Sequence, residues 1–199
     1  MCGRVPARFV LFGGTAIALR LGHRTSLDFD FFANEPFQPG ELLRQLSWLG
    51  EAEPTQSSPN TLTVLLSRGD PVKISFFGGL SFGRVGEPEA AASTGILVAS
   101  LADLAATKLK VIQERAESKD YRDLAALLQS GLKLPQMLAT ARALYGETWN
   151  AMISLKALNY FADGDLPSLS KDIKDLLSHA AASVHDIPTL RRVSDRIAP

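Results

Sequence analysis

Asp28 and Asp30 stand two residues apart in LDFDFF, where Leu27, Phe29 and Phe31 alternate with them. Alternation with period two is that of a β-strand, so both carboxylates face one way, about 6.6 Å apart at a rise of ~3.3 Å per residue. Such a pair either forms the solvent face of a half-buried strand or converges on a hard divalent cation. Mg²⁺ (or Mn²⁺) suits it, because Mg²⁺ takes one or two carboxylates and completes its shell with waters and substrate phosphates. The residues upstream favour the metal. Val10, Leu11 and Phe12 form an apolar strand run that ends at Gly13-Gly14, where the backbone is free to take positive φ and approach a ligand closely. A helix is expected from Thr15 to Leu21, with its unpaired first N–H groups and its dipole favouring an anion beside Gly13, Gly14 and Thr15. In the turn that follows, His23 and Arg24 are placed to meet a triphosphate and Ser26 to orient a phosphate or a carboxylate. His23 could equally satisfy the free carbonyls of the helix end, and Ser26 could bond its own backbone.

GGT, LGHRTS and DFDFF together resemble the first motif of nucleotidyltransferase-fold toxins of the abortive-infection AbiEii/AbiGii type, relatives of the polymerase-beta superfamily. The resemblance runs on through SLADLAATKLKVI and ERAESKDYRDLAALL, more than half the chain. It implies an NTP as substrate, a hydroxyl on RNA or protein as acceptor, a cognate antitoxin as partner, and active-site roles for Lys119 and Asp120, with Asp123 a weaker candidate. Polymerase-beta-like enzymes usually carry a third carboxylate on a neighbouring strand. The matching stretch here is VKISFF, so Ser75 stands where an acid is expected. Only eight residues precede Phe9, where the first strand can open, fewer than is common in this family type, so a truncated or misassigned start is expected.

Lys108 is singled out by periodicity as well as by the resemblance. Leu101, Leu104, Ala105, Val111 and Ile112 form one stripe at spacings of three and four, with Lys108 in its middle. A lysine there must carry its charge past the apolar stem to water or meet an anion. The resemblance implies the latter, with Lys108 reaching the nucleotide phosphates.

Composition limits the classes that remain. Lys plus Arg equals Asp plus Glu at 21 each, so no global positive field recruits nucleic acid and any such binding must be local. The single cysteine, Cys2, excludes an internal disulfide framework and a cysteine metal cluster. Arg4 and Arg8 precede an apolar run, but Gly13-Gly14 and Arg20 break it and no cleavage site follows. No apolar stretch reaches the ~20 residues needed to span a bilayer. The expectation is a cytoplasmic protein without membrane contact. Dinucleotide binding is excluded, since GGT lacks the G-x-G-x-x-G spacing.

The fold expected is α+β: a small mixed nucleotidyltransferase-type sheet with helices on one face, residues 1–97, followed by an all-helical C-terminal lobe, residues 98–199. Within the first part, residues 40–49 read as a helix, 51–60 as a surface loop, 61–66 and 72–77 as a hairpin around Arg68-Gly69-Asp70, and 78–95 as an irregular excursion. Helices are expected over 101–117, 119–129, 135–145, 148–162 and 169–184, with a short sixth from Pro188. Ser118 is a candidate N-cap, and Met152, Ile153, Tyr160 and Phe161 are candidate core. Two functions fit. One is a metal-dependent nucleotidyltransferase acting as the toxin of a toxin–antitoxin pair. The other is a nucleotide-binding or protein-interaction module of the same fold that has lost turnover, for which Ser75 is the sequence evidence.

Overall fold

The computed structural model describes residues 5–199 except 51, 69 and 93, with residues 67 and 68 as backbone only. Cys2, Arg4 and the hairpin glycine Gly69 therefore lie outside the described residues. The chain opens with β1 (Val10–Phe12), α1 (Gly13–Leu21) and β2 (Asp28–Phe32), as the central sequence motif requires. α2 (Pro39–Gln45) and a 3-10 turn (Ser47–Leu49) lead into a meander of β3 (Pro54–Ser58), β4 (Thr61–Arg68) and β5 (Asp70–Phe77). Two short strands, β6 (Glu89–Ala90) and β7 (Leu97–Val98), precede α3 (Leu101–Val111), α4 (Ser118–Gln129), α5 (Leu134–Tyr145), α6 (Ala151–Ala157) and α7 (Lys171–Ala182).

The strands form one mixed sheet in the order β3-β4-β5-β2-β1-β7-β6. β2 pairs antiparallel with β1 and parallel with β5, so the aspartate strand lies inside the sheet. Its register sorts the side chains. Leu11, Phe31, Phe76 and Leu62 lie in one row, all buried, and Phe31 stacks on Phe76 at 5.1 Å. One residue along, Phe12, Asp30, Ser75 and Thr63 lie in a row on the opposite face. A one-residue slip would exchange the two rows, and the aromatic row, worth roughly 1.5–3 kcal/mol for each fully buried side chain, forbids it. The apolar face thus fixes where the carboxylates point.

Several expectations need correction. Residues 54–58 are an edge strand, not loop: PTQSS is exposed along its length and pairs with β4 on one side only, so no apolar alternation marks it. Residues 78–95 include β6, and β7 pairs parallel to β1. The helix expected over 40–49 stops at Gln45 and tightens into the 3-10 turn. α3 ends at Val111, where Gln113 and Glu114 bond back three residues and the chain turns to aim Arg115 at α4. Ser118 is not a cap, since Glu117 holds that position; its N–H and hydroxyl both donate to Asp165, at 2.6 and 2.7 Å. α6 is shorter than expected, and Met152, Ile153 and Tyr160 are exposed, leaving Phe161 alone of the four packed against the core. No helix starts at Pro188. Arg142 donates to the carbonyls of Ile187 and Pro188, and Ser194 bridges to Arg84, which also donates to the Arg196 and Ala198 carbonyls. Those carbonyls are satisfied by arginines, so the tail runs extended from the helical lobe back to the sheet.

Candidate active site

A cleft of about 570 Å³ opens over the carboxylate row. Asp28 and Asp30 line it from β2, Lys73 and Ser75 from β5, Gly13 and Gly14 from the start of α1, and Arg24 and Ser26 from the turn before β2. The helical lobe contributes Thr107, Lys108, Arg115 and Lys119. Burial, reinforced by the charge of Asp28, pushes the Asp30 carboxyl above the usual range against the pull of Lys73 and Lys108. Asp28 is more open, with the Lys73 ammonium 3.6 Å from its Oδ2. Both β5 positions opposite the aspartates are therefore non-acidic: Lys73 pairs with Asp28 and Ser75 with Asp30. Among the described residues no group of three or more His, Cys, Asp or Glu gathers as a metal cluster. The donors at hand are two carboxylates facing one cleft, which suits a hard ion that carries waters and substrate phosphates with it.

Behind the cleft lies a buried ion network. Lys108, only 5% exposed, does not snorkel; its Nζ lies 2.6 Å from Asp120 Oδ1 and 2.7 Å from Asp123 Oδ2. Asp120 also accepts from Arg115 Nε at 2.8 Å. Asp123 accepts from Arg24 through Nε at 2.6 Å and Nη2 at 3.0 Å, and lies 2.7 Å from His23 Nε2. Burial opposes the charge on both acids, but the hydrogen bonds from Arg115 and Arg24 and the charge of Lys108 prevail, holding both carboxyls below the usual range. The hydrogen bond to Asp123 in turn raises the Arg24 guanidinium. Both aspartates lie on α4, three residues apart, hence on one helix face.

The glycines fit these neighbours. A Cβ on Gly14 would sit 2.1 Å from Arg24 Nη2, an atom pinned by its bidentate bond, and one on Gly13 would sit 2.7 Å from Asp30 Oδ2, where φ is already +74°. Helix α1 begins at Gly13 rather than Thr15. Thr15 is buried and does not line the cleft; its hydroxyl donates to the Asp28 carbonyl and lies 2.8 Å from Ser26 Oγ, tying helix to strand. His23 and Asp120 also stand behind the cleft wall rather than in it.

The family model for the nucleotidyl transferase AbiEii toxin of type IV toxin–antitoxin systems matches residues 4–196. The chain belongs to that family. An uncharacterized protein of Aquifex aeolicus is 35% identical over 158 residues, covering 78% of this AbiEii-family chain and 74% of the relative. Among solved structures, MenT4, a nucleotidyltransferase toxin from Mycobacterium tuberculosis H37Rv, superposes with a TM-score of 0.61 over 92% of this chain and 78% of its own. At 14% identity that likeness is one of fold. Membership makes this AbiEii-family protein an enzyme of the nucleotidyltransferase class, and no helix among its described residues is long and apolar enough to cross a membrane.

Lys73, Arg115 and Thr107 line the cleft and were not singled out by sequence. Period two from Ser75 back to Lys73 was the signal available for the first. Asp123 needed three partners from distant segments before it stood out.

Proposed function

We propose that this AbiEii-family enzyme transfers NMP from an NTP to a hydroxyl on RNA or protein with the help of Mg²⁺ or Mn²⁺, as the toxin of a pair whose antitoxin binds it in the cytoplasm. The observation that carries this reading is that Asp28 and Asp30 share one cleft with Arg24, Lys108, Arg115 and Lys119. Its volume falls within the ~300–1,000 Å³ of small-molecule sites. In the reaction the acceptor oxygen forms a bond to the α-phosphorus, the bond from that phosphorus to the bridging oxygen breaks, pyrophosphate leaves with the electron pair, and the hydroxyl proton passes to solvent. When bound, the divalent ion supplies charge neutralisation at the phosphates, and Asp28 and Asp30 would hold it. Arg24 and Arg115, fixed by Asp123 and Asp120, place planar cations where phosphate oxygens come, without reorganisation at the moment of reaction. Lys108 and Lys119 add point charge. Thr15, His23, Asp120 and Asp123 act as positioning residues. Gly13 and Gly14 let the backbone come close.

Calorimetry with ATP, with and without Mg²⁺, tests the assignment. Replacing Asp28 and Asp30 together by Ala should abolish Mg²⁺-dependent ATP binding and leave the circular dichroism spectrum unchanged; undiminished affinity would refute it. The second reading, a nucleotide-binding module without turnover, is favoured by one observation, the serine and lysine that stand on β5 in place of an acid.

A further inference from the structure

The cations of the cleft fall into two sets. Arg24 is held by Asp123, Lys108 by Asp120 and Asp123, Arg115 by Asp120 and Glu117, and Lys119 by Glu117, all acids on α4 or at its N-cap. Lys73 stands apart. It comes from β5 and faces the carboxylate pair itself: Asp28 Oδ2 lies 3.6 Å from its ammonium, a charge contact too long for a hydrogen bond, and no other acid among the described residues pairs with it. With each of the two side chains 47% exposed, the contact adds little to the fold and leaves the ammonium free to meet a ligand. Burial raises the Asp30 carboxyl, and of the charges that act on it that of Lys73 is the largest.

Register explains the placement. β5 runs parallel to β2 with Lys73 beside Asp28 and Ser75 beside Asp30, so both β5 side chains reach the cleft across a strand spacing of ~4.8 Å. A second divalent ion, ~3.5–4 Å from the first in two-ion sites, needs further oxygen ligands, above all carboxylates. Here β5 offers a hydroxyl that accepts from Thr63, and an ammonium. The lysine brings positive charge to that place without needing ligands of its own, and Asp28 holds it there. We infer that Lys73 is the second cation of the transfer: its ammonium, on the β5 side of Asp28, meets the acceptor oxygen and stabilises the charge that grows on it as it bonds to the α-phosphorus. The bond from that phosphorus to the bridging oxygen breaks, pyrophosphate leaves with the electron pair, and the hydroxyl proton passes to solvent, Lys73 keeping its own protons throughout. A fixed cation aimed at a developing oxyanion needs no reorganisation during the reaction. This role rests on reading the cleft as the NTP site with one divalent ion on Asp28 and Asp30, and it gives turnover a cation that a third carboxylate would otherwise have to hold.

On the full chain, electron paramagnetic resonance counts Mn²⁺ bound with α,β-methylene-ATP, calorimetry gives the affinity of Mg²⁺-ATP, and α-labelled ATP at saturation gives the rate of transfer to total RNA and protein. The wild type should hold one Mn²⁺ per bound nucleotide, and Lys73→Glu, which puts an acid on β5, should hold two. Lys73→Ala should keep its melting temperature and its Mg²⁺-ATP affinity and lose on the order of 100-fold in transfer. Two ions of comparable affinity per nucleotide in the wild type, or one in Lys73→Glu, would overturn the inference. So would wild-type transfer in Lys73→Ala, which would make Lys73 a surface ion pair, or a fall in its Mg²⁺-ATP affinity, which would make Lys73 a ligand of the triphosphate. All of these leave the NTP site standing. A wild type that binds no Mg²⁺-ATP sinks that reading and the inference with it, and one that binds the nucleotide but transfers nothing sinks the inference.

Discussion

Removing the Lys108 ammonium leaves two carboxylates facing each other where water does not reach. Asp120 keeps Arg115 and Asp123 keeps Arg24, so the cost of Lys108→Ala should fall near the lower end of the ~3–5 kcal/mol typical of broken buried pairs. In a chain of this size that lowers the melting temperature by on the order of 10 °C. Lys110→Ala, which breaks an exposed pair with Glu114, should cost under ~1 kcal/mol. Scanning calorimetry on the two variants checks the contrast, and equal melting temperatures would contradict the network. Sequence periodicity marked Lys108 as anomalous and framed its choices as water or an anion, and the resemblance made that anion a nucleotide phosphate. Neither could tell that the anions are internal, because Asp120 and Asp123 come to Lys108 only when α3 and α4 pack. At the neighbouring position, Ser75→Asp adds an acid in the row of Asp30, whose own carboxyl already resists ionisation. It should tighten binding of a second Mn²⁺, counted by electron paramagnetic resonance, and raise transfer. A slower variant with no added ion would show that Ser75 does not stand in for a carboxylate.

At the scale of elements, the start of α1 is held by what crosses it. Gly14→Ala drives a methyl group into the pinned guanidinium of Arg24, so the variant should lose several-fold in Mg²⁺-ATP affinity; calorimetry at unchanged helix content is the check. The strand–helix–strand around Gly13 to Asp30 was legible because three independent signals agree there: an apolar run, a glycine break and strict alternation. β3 was not legible, since an exposed edge strand buries no side chain and leaves no pattern. The tail after Pro188 misled in the opposite sense. Proline can begin a helix, but the carbonyls of Ile187 and Pro188, the first that such a helix would use, accept from Arg142 instead.

For the whole molecule, two sets of buried groups bound the pH range of stability. Asp120 and Asp123 have carboxyls lowered in the fold, so their contribution is complete above the ordinary carboxylate value of ~3.9 and is lost as the pH falls from there through their folded values. Burial pushes the Tyr121 hydroxyl up to about 12, so its contribution is complete below ~10 and is lost as the pH rises through 12. Thermal unfolding across pH should show a plateau that falls at both ends. In Asp123→Asn the acid limb should shrink, and an unaltered limb would place the acid sensitivity elsewhere. Composition foresaw none of this, since equal numbers of acids and bases say nothing of which become buried together.

Label transfer from NTP to total RNA and protein tests the central claim directly. NTP labelled at the α-phosphate should pass label to acceptor in a Mg²⁺-dependent reaction, NTP labelled at the γ-phosphate should pass none, and the Asp28→Ala, Asp30→Ala protein should be silent with both. Transfer from the γ position alone would mean phosphoryl transfer, and no transfer from either would mean a binding module without turnover; either result would contradict nucleotidyl transfer at the Asp28 and Asp30 cleft.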